Sequence, residues 1–331
     1  MKNLKKILVV GGGLAGCAAA SRMAEGGAEV VIVEREPVIG GRVRGYGCKA
    51  DAKCNHCGVC LTKGLWKGVL KNPSIETIVS SRVVDLRGTD TSYDAELDTP
   101  GGRRYVTGIS GALVTTGFEN IGAARSAHLQ IEGTEGVATG SELEPAMRGR
   151  GKNGPFAAAP KSVAFIQCFG SRDKKERSNY CSRVCCAYST RMARVIRHHY
   201  PDCRFTFFYM ELQAAANADV FAEMRSLGAD FVKCRPSRVT GGRPASVEYD
   251  DPAEGRRRRD FDMVVLSEGI HPARDNWRSA EVFGLELDEN GFLRARGKRG
   301  VHVAGTAKRP MTIAETRHDA ILAADAITEE L

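Results

Sequence analysis

Apolar positions along this chain fall into short unbroken runs separated by glycine-rich or polar stretches. That is how strands buried on both faces of a parallel sheet read. Ile7-Leu8-Val9-Val10 is the first run and Glu29-Val30-Val31-Ile32-Val33 the second, with an Ala-rich helical stretch from Cys17 to Met23 between them. Together they form a βαβ unit. Thr77 to Val84 and Ala112 to Gly117 are predicted to add two further strands. The alternation then recurs: Val163 to Gln167, a helix predicted from about Asn179 to His199, and Arg204 to Tyr209. Within that helix Val184, Tyr188, Met192, Val195 and Ile196 recur at a spacing that makes one apolar face. A last run, Gly300 to Thr306, precedes an Ala-rich closing helix from Thr312 to Ile327. Residues 132–160, rich in Gly, Ala and Pro, read as a crossover whose short helix is expected to be capped by Ser141 and Glu144. The pattern predicts an α/β protein of two domains, one formed by 1–158 with 271–331 and the other by an inserted module, 159–270.

The first turn supplies G-x-G-x-x-G as Gly11, Gly13 and Gly16, with Leu14 and Ala15 opening the helix. In such a turn the first glycine permits the bend, the second lets backbone approach a pyrophosphate, and the third lets the helix pack on the sheet. The anion rests on the helix N-terminus. Glu34, at the end of the second strand, is placed to take a ribose hydroxyl pair, with Arg35 beside it. Gly40-Gly41-Arg42 follows, as in flavoproteins whose chain passes the flavin there, and Val83 lies on the strand expected to flank adenine. Thr116-Gly117 closes this domain's strand pattern. Gly305-Thr306 resembles the second flavin motif, with Thr where Asp is usual, and Thr312-Ile313 opens a helix whose N-terminus faces the expected flavin pyrimidine. FAD is the expected cofactor of this Rossmann-type domain.

At the second turn the glycines are missing. Cys168-Phe169-Gly170-Ser171-Arg172-Asp173 has one glycine, too few for a pyrophosphate nest, so NAD(P) is not expected. Cys168 is followed by Cys181, Cys185 and Cys186, and the predicted helix stacks Cys181 over Cys185 beside its apolar face. Four thiolates converging at a helix start describe a [4Fe–4S] site, with zinc as the alternative occupant.

The spacing C-x12-C-x3-C-C resembles the A-type subunit of the heterodisulfide reductases and its bacterial relatives. The stretches "VVGGGLAG", "NPSIET", "FIQCFGSRD", "YCSRVCCAY" and "VAGTA" extend the resemblance over nearly the whole chain. It implies a thioredoxin-reductase-like two-domain flavoprotein with an inserted NAD(P)-domain-like module. It also implies a [4Fe–4S] cluster on the four cysteines near FAD, and B- and C-type partner subunits. The ferredoxin modules of methanogen members are not visible, and Arg191 stands where they are expected to have a lysine near the flavin. The resemblance therefore favours the short bacterial type found in sulfur-oxidising complexes. Rival readings are a cluster-independent disulfide oxidoreductase using Cys54, Cys57 and Cys60, and a non-enzymatic electron-carrying scaffold.

A second group, Cys48, Cys54, Cys57 and Cys60, follows Gly41-Arg42 as C-x5-C-x2-C-x2-C. A second cluster, a redox dithiol and a zinc loop that includes His56 all suit that spacing. Cys17, Cys203 and Cys234 read as packing residues. Grouped cysteines point to metal or redox chemistry in a cytoplasmic setting rather than to a disulfide framework. Leu14-Ala15-Gly16-Cys17 mimics a lipoprotein cleavage site, but its glycine belongs to the dinucleotide motif.

Composition changes little. The 331 residues are 42% hydrophobic and 27% charged, and no apolar stretch is long enough to span a bilayer. The net charge of +8 draws on Arg256-Arg257-Arg258-Arg259, read as a solvated hairpin loop and not a nucleic-acid patch. A homodimer without membrane insertion is expected.

Overall fold

Alternate residues of each buried strand feed opposite faces of a sheet, and this places both cores. The structure, a computed structural model, describes residues 5–51, 54–89, 92–121, 129–148, 156, 158–174, 178–212 and 218–331. It divides into two compact units: Met1–Gly45, Gly58–Glu119 and Pro272–Leu331 form the first, Tyr46–Cys57 and Asn120–His271 the second.

In the first unit five parallel strands lie in the order Val301–Val303, Gly111–Val114, Lys6–Val10, Glu29–Val33 and Ile75–Ile78. Ile7, Val9, Val30, Ile32 and Leu113 pack on one face against Cys17 to Ala20 of helix Leu14–Glu25 and Ala320, Ala324 and Ile327 of helix Ile313–Glu330. Small side chains on both helices allow that close approach. Leu8, Val31 and Val114 pack on the other face with Leu86, Tyr93, Leu97 and Val106. Those four come from an antiparallel sheet of Arg82–Thr89, Ser92–Thr99 and Gly102–Ile109.

The second unit repeats the plan. Its parallel sheet runs Val137–Thr139, Met263–Glu268, Ser162–Phe169, Arg204–Phe208, Asp230–Val232. Val163, Phe165, Phe205 and Phe207 pack with Met192 and Ile196 of helix Cys185–His199, and Phe165 stacks on Phe207 with centroids 5.1 Å apart. Ala164, Ile166, Val264 and Leu266 face Val239, Val247, Tyr249 and Phe261 of a second, smaller sheet.

Five expectations are corrected. Thr77 to Val84 is not one strand: Ile75–Ile78 and Arg82–Thr89 are separated at Ser80, whose φ of +51° bends the chain. The cysteine helix begins at Cys185, not near Asn179, because Arg183 adopts φ +62° and ends any earlier helical path. The short crossover helix Gly140–Leu143 is capped by Thr139 and Glu142, two residues before Ser141 and Glu144. The four arginines lie in strand Gly255–Phe261, not in a loop. Carboxylates meet them at Glu248, Glu254, Asp260 and Asp230, so the basic block is locally neutralised.

The fifth correction concerns the boundary. The second unit begins at Asn120, not 159, because Val137–Thr139 pairs with Met263–Glu268 and Gln130–Glu132 pairs with Arg238–Thr240. It ends at His271, so Pro272 opens the return to the first unit. Among the described residues no helix is long and apolar enough to cross a membrane.

Candidate functional site

The turn after Val10 is built from backbone alone. Gly11 adopts φ +102°, and a Cβ there would sit 2.6 Å from the Thr115 carbonyl oxygen. A Cβ on Gly16 would overlap the Gly11 carbonyl oxygen, so helix and strand meet backbone to backbone. Gly13, in contrast, has open space: a Cβ added there would find its nearest neighbour, Gly41 Cα, at 4.0 Å. Gly13 is the N-cap of helix Leu14–Glu25 and gives it no side-chain cap, and no acidic residue occupies the first turn. Free N–H groups beside an open cradle are what a pyrophosphate requires.

Glu34 braces this cradle. It is buried, and its two oxygens accept the Gly12 N–H at 2.7 Å and the Glu36 N–H at 2.9 Å. Each oxygen retains a lone pair for a ribose hydroxyl. Cys17 sits behind the loop with its Sγ 3.2 Å from the Gly12 carbonyl, and burial, aided by Glu34, pushes its thiol up to about 12. It is a packing residue, as expected.

The other expected flavin residues lie in the same unit. Gly41, with φ +57°, closes against Gly13, and Gly40 N donates to Gly12 O at 2.7 Å. Arg42 Nε donates to the Phe118 carbonyl at 2.9 Å and its guanidinium lies over the Phe118 ring. Arg35 pairs with Asp275 at 3.3 Å, so it braces the rim. Val83 is half-buried on strand Arg82–Thr89. A Cβ on Gly117 would lie 3.9 Å from Thr306 Oγ1, which joins the two late motifs. The Asp missing at Thr306 has a counterpart further on, where Asp319 accepts the Gly305 N–H at 2.8 Å. Thr312 and Glu315 cap helix Ile313–Glu330 reciprocally, which leaves Ile313 N–H among the first-turn donors.

The turn after Ile166 is built from side chains. Cys168, next to last in strand Ser162–Phe169, is buried at φ +59°, and Ser171 N closes on its carbonyl at 3.1 Å. The chain then runs out and returns. Asp173 and Ser178 exchange backbone bonds at 3.0 and 2.9 Å, and Arg172 N donates to Tyr180 O at 3.1 Å. This hairpin delivers Cys181 back to the base of the turn. Cys181 is therefore a loop residue, not a helical one stacked over Cys185. Ser182 Oγ accepts the Ile270 N–H at 2.9 Å, and helix Cys185–His199 starts with Cys185 and Cys186, both buried. Gly269 is obligatory here, since any Cβ would overlap Ser182 Oγ.

Burial, then the sulfurs of Cys168, Cys186 and Cys181, push the Cys185 thiol well up. The Cys168 thiol is pushed up to about 11 by burial and by Cys186 and Cys181, while Arg172 and Arg235 pull the other way. Among the described residues no group of three or more His, Cys, Asp or Glu is arranged to hold a metal ion. The Ser171 hydroxyl and Arg172 Nη1 are buried and find no hydrogen-bond partner. A buried donor left this way costs about 1–3 kcal/mol. Gly170 offers no cradle, since its Cβ would meet His271 Nε2 and Ile121 Cδ1, each at 2.8 Å.

The second cysteine group divides between units. Cys60 is exposed on the short turn Val59–Thr62 of the first unit, and Cys48, Cys54 and Cys57 belong to the second. Their loop is tied down by buried ion pairs, Lys49 with Glu144 at 2.5 Å and Asp51 with Arg194 at 2.9 Å. Burial pushes the Glu144 carboxyl up against the pull of Lys49. Arg191, expected beside the flavin, donates from Nε to the Asn55 carbonyl at 2.9 Å and lies near the Cys57 and Cys54 thiols. His56 sits between those cysteines at φ +47°, and its N–H lies 3.4 Å from Cys54 Sγ. Sequence reading missed Ser171, Asp173, Ser182, Arg235 and Gly269. The first two stand in the quoted "CFGSRD" stretch, whereas nothing in the sequence marks Arg235.

A family described as FAD dependent oxidoreductase matches residues 6–97. The chain is 25% identical to the A-type subunit of ferredoxin:CoB-CoM heterodisulfide reductase from Methanosarcina mazei, over 94% of this chain and 51% of that protein. It is 24% identical to the A-type iron-sulfur subunit of CoB–CoM heterodisulfide reductase from Methanocaldococcus jannaschii, over 98% of this chain and 64% of the relative. The chain thus spans about half to two thirds of the length of these relatives. Among solved structures, T. acidophilum thioredoxin reductase superposes with a TM-score of 0.65 at 18% identity, over 98% of both chains. The glycine cradle, the repeated sheet plan and these likenesses agree: the chain has the thioredoxin reductase fold, carries the FAD dependent oxidoreductase match at its N-terminal end, and is similar over most of its length to the A-type subunit of heterodisulfide reductase.

Proposed function

We propose that this protein is the electron-transfer subunit of a heterodisulfide-reductase-like complex, with FAD in the first unit and a [4Fe–4S] cluster in the second. The observation that carries the reading is the return of Cys181 to the Cys168 turn, where Arg172 N bonds Tyr180 O, while Cys185 Sγ lies 3.5 Å from the carbonyl of Glu268, the strand partner of Phe169. A buried Ser171 hydroxyl without a partner stands in the same turn. Four thiolates satisfy a [4Fe–4S] core, and Ser171 and Arg172 donors suit its sulfides. Zinc is the alternative occupant of four such thiolates. FAD, when bound, supplies the exchange between paired and single electrons.

This chain's own residues bind, orient and seal. Gly11, Gly13 and Gly16 with the helix start hold the pyrophosphate, Glu34 orients the ribose, and Gly305-Thr306 and Ile313 line the flavin end. NAD(P) is not a cofactor of the second unit in this reading, because Gly170 is packed against side chains where Gly13 is open. In this reading B- and C-type subunits accept the electrons, and the complex serves cytoplasmic sulfur oxidation.

Iron and acid-labile sulfide, measured per chain after anaerobic purification, test the proposal. About four of each are expected, with a brown chromophore lost in Cys185→Ser. A yellow protein without iron overturns it. A second reading rests on Arg191 beside Cys54 and Cys57, since a cation next to a C-x2-C pair favours a reactive dithiol. Disulfide reduction that survives in Cys168→Ala and disappears in Cys57→Ser would favour that reading.

A further inference from the structure

We infer that Arg235 holds the Cys168 turn in its cluster-binding shape and raises the reduction potential of the cluster bound there. The inference rests on the cluster reading above. Arg235 lies between strands Asp230–Val232 and Arg238–Thr240, more than sixty residues from Cys168 in the chain, and reaches back to the turn. Its Nη1 donates to the Arg172 carbonyl at 3.2 Å. Its Nη2 donates to the Ser171 carbonyl at 3.4 Å and to Asp173 Oδ2 at 3.3 Å. One guanidinium thus spans two consecutive carbonyls and a carboxylate, a geometry that the planar fork provides and an ammonium does not.

The bonds fall where the backbone needs support. Cys168 and Arg172 both adopt left-handed φ values, +59° and +56°, and no glycine relieves either position. The hairpin that returns Cys181 closes through Arg172 N and through Asp173. Asp173 is buried, so its carboxylate needs a cation close by. Releasing Arg235 therefore frees the Cys168 end of the site and removes a cation from beside the Asp173 carboxylate.

The electrostatic half follows from sign. Four thiolates make the site anionic, and reduction adds one further electron with no bond made or broken. A cation beside Cys168 favours the reduced form. Arg235 bonds the carbonyls of Ser171 and Arg172, three and four residues after Cys168, and so sets its charge against that turn.

The test is an anaerobic dithionite titration followed by electron paramagnetic resonance, with iron, sulfide and FAD measured on the same samples. FAD content reports whether the first unit has folded, and circular dichroism monitors the whole chain. In Arg235→Gln the reduced-to-oxidised ratio at a fixed poise is expected to fall about tenfold, equivalent to about 59 mV for one electron. Iron is also expected to be lost to a chelator several-fold faster. Arg235→Lys keeps the charge and loses the fork, so its potential stays near wild type while its iron loss accelerates. Asp173→Asn combined with Arg235→Gln removes both charges and recovers part of the potential shift. If Arg235→Gln misfolds, the Lys variant still tests the holding role. A Gln variant with wild-type iron retention and an unchanged midpoint overturns the inference while leaving the cluster reading intact. A wild-type protein without iron overturns both.

Discussion

The turn after Val10 and the turn after Ile166 leave the central strands of two five-stranded parallel sheets, yet they are assembled from different materials. The first uses glycine to clear space: Gly11 and Gly16 let backbones touch, and Gly13 leaves a cradle lined by N–H groups. The second fills the equivalent space with side chains: cysteines, the Ser171 hydroxyl, and Gly170 packed on His271 and Ile121. The difference teaches what a shared scaffold leaves free. Strand order and face alternation fix where a turn opens, and the residues in the turn decide whether it presents backbone dipoles to an anion or sulfur donors to a metal.

Four substitutions would break or sharpen this contrast, beginning with the most severe. Gly16→Ala drives a methyl into the Gly11 carbonyl, so a cost above about 4 kcal/mol is expected. Little soluble flavoprotein should be recovered, as soluble yield and flavin absorbance would show. Gly170→Ala meets two side chains at 2.8 Å from a residue at φ +73°. Denaturant melts should show a loss of about 1–3 kcal/mol with flavin retained, and wild-type stability would mean that this turn has slack. Glu34→Ala removes the acceptor of the Gly12 and Glu36 N–H groups, costing about 1–3 kcal/mol and weakening FAD on titration of the apoprotein. Gly13→Ala is the mildest for folding, because its methyl enters open space at a φ of −74°. Stability should hold within about 0.5 kcal/mol, whereas the FAD dissociation constant should rise about tenfold, or 1.4 kcal/mol. Unchanged FAD binding would show that the cradle is not where the pyrophosphate lies.

Much of the architecture was legible because burial on both faces writes itself as unbroken apolar runs. Ile7 to Val10, Val163 to Gln167 and the start of the closing helix at Thr312 appear in the structure where the sequence puts them. The errors share a cause, namely local backbone geometry that composition does not encode. Cys181 and Cys185 have helical spacing, yet Arg183 at φ +62° and the Ser182 bond to Ile270 place Cys181 in a loop. The arginine block reads as a loop by charge, but cross-strand Glu248 and the distant Asp230 make a strand tolerable. Arg191, which the resemblance offers as a flavin neighbour, gives its Nε to the Asn55 carbonyl 136 residues away, a bond that the sequence does not announce. Arg235 was invisible for the same reason, since a contact made through a long side chain across a sheet leaves no periodic trace.

Five non-glycine residues among those described adopt left-handed φ values, and four of them, His56, Cys168, Arg172 and Arg183, lie in the cysteine loops. Each such residue carries a penalty of about 1–2 kcal/mol relative to a relaxed backbone. At position 168 that penalty is independent of any ligand, so in the metal-free protein Cys168→Gly should cost less in melting temperature than the same change at Cys203, a buried cysteine with no such φ. A sulfur held at so awkward a bend would then be visible as a smaller thermal loss on its removal.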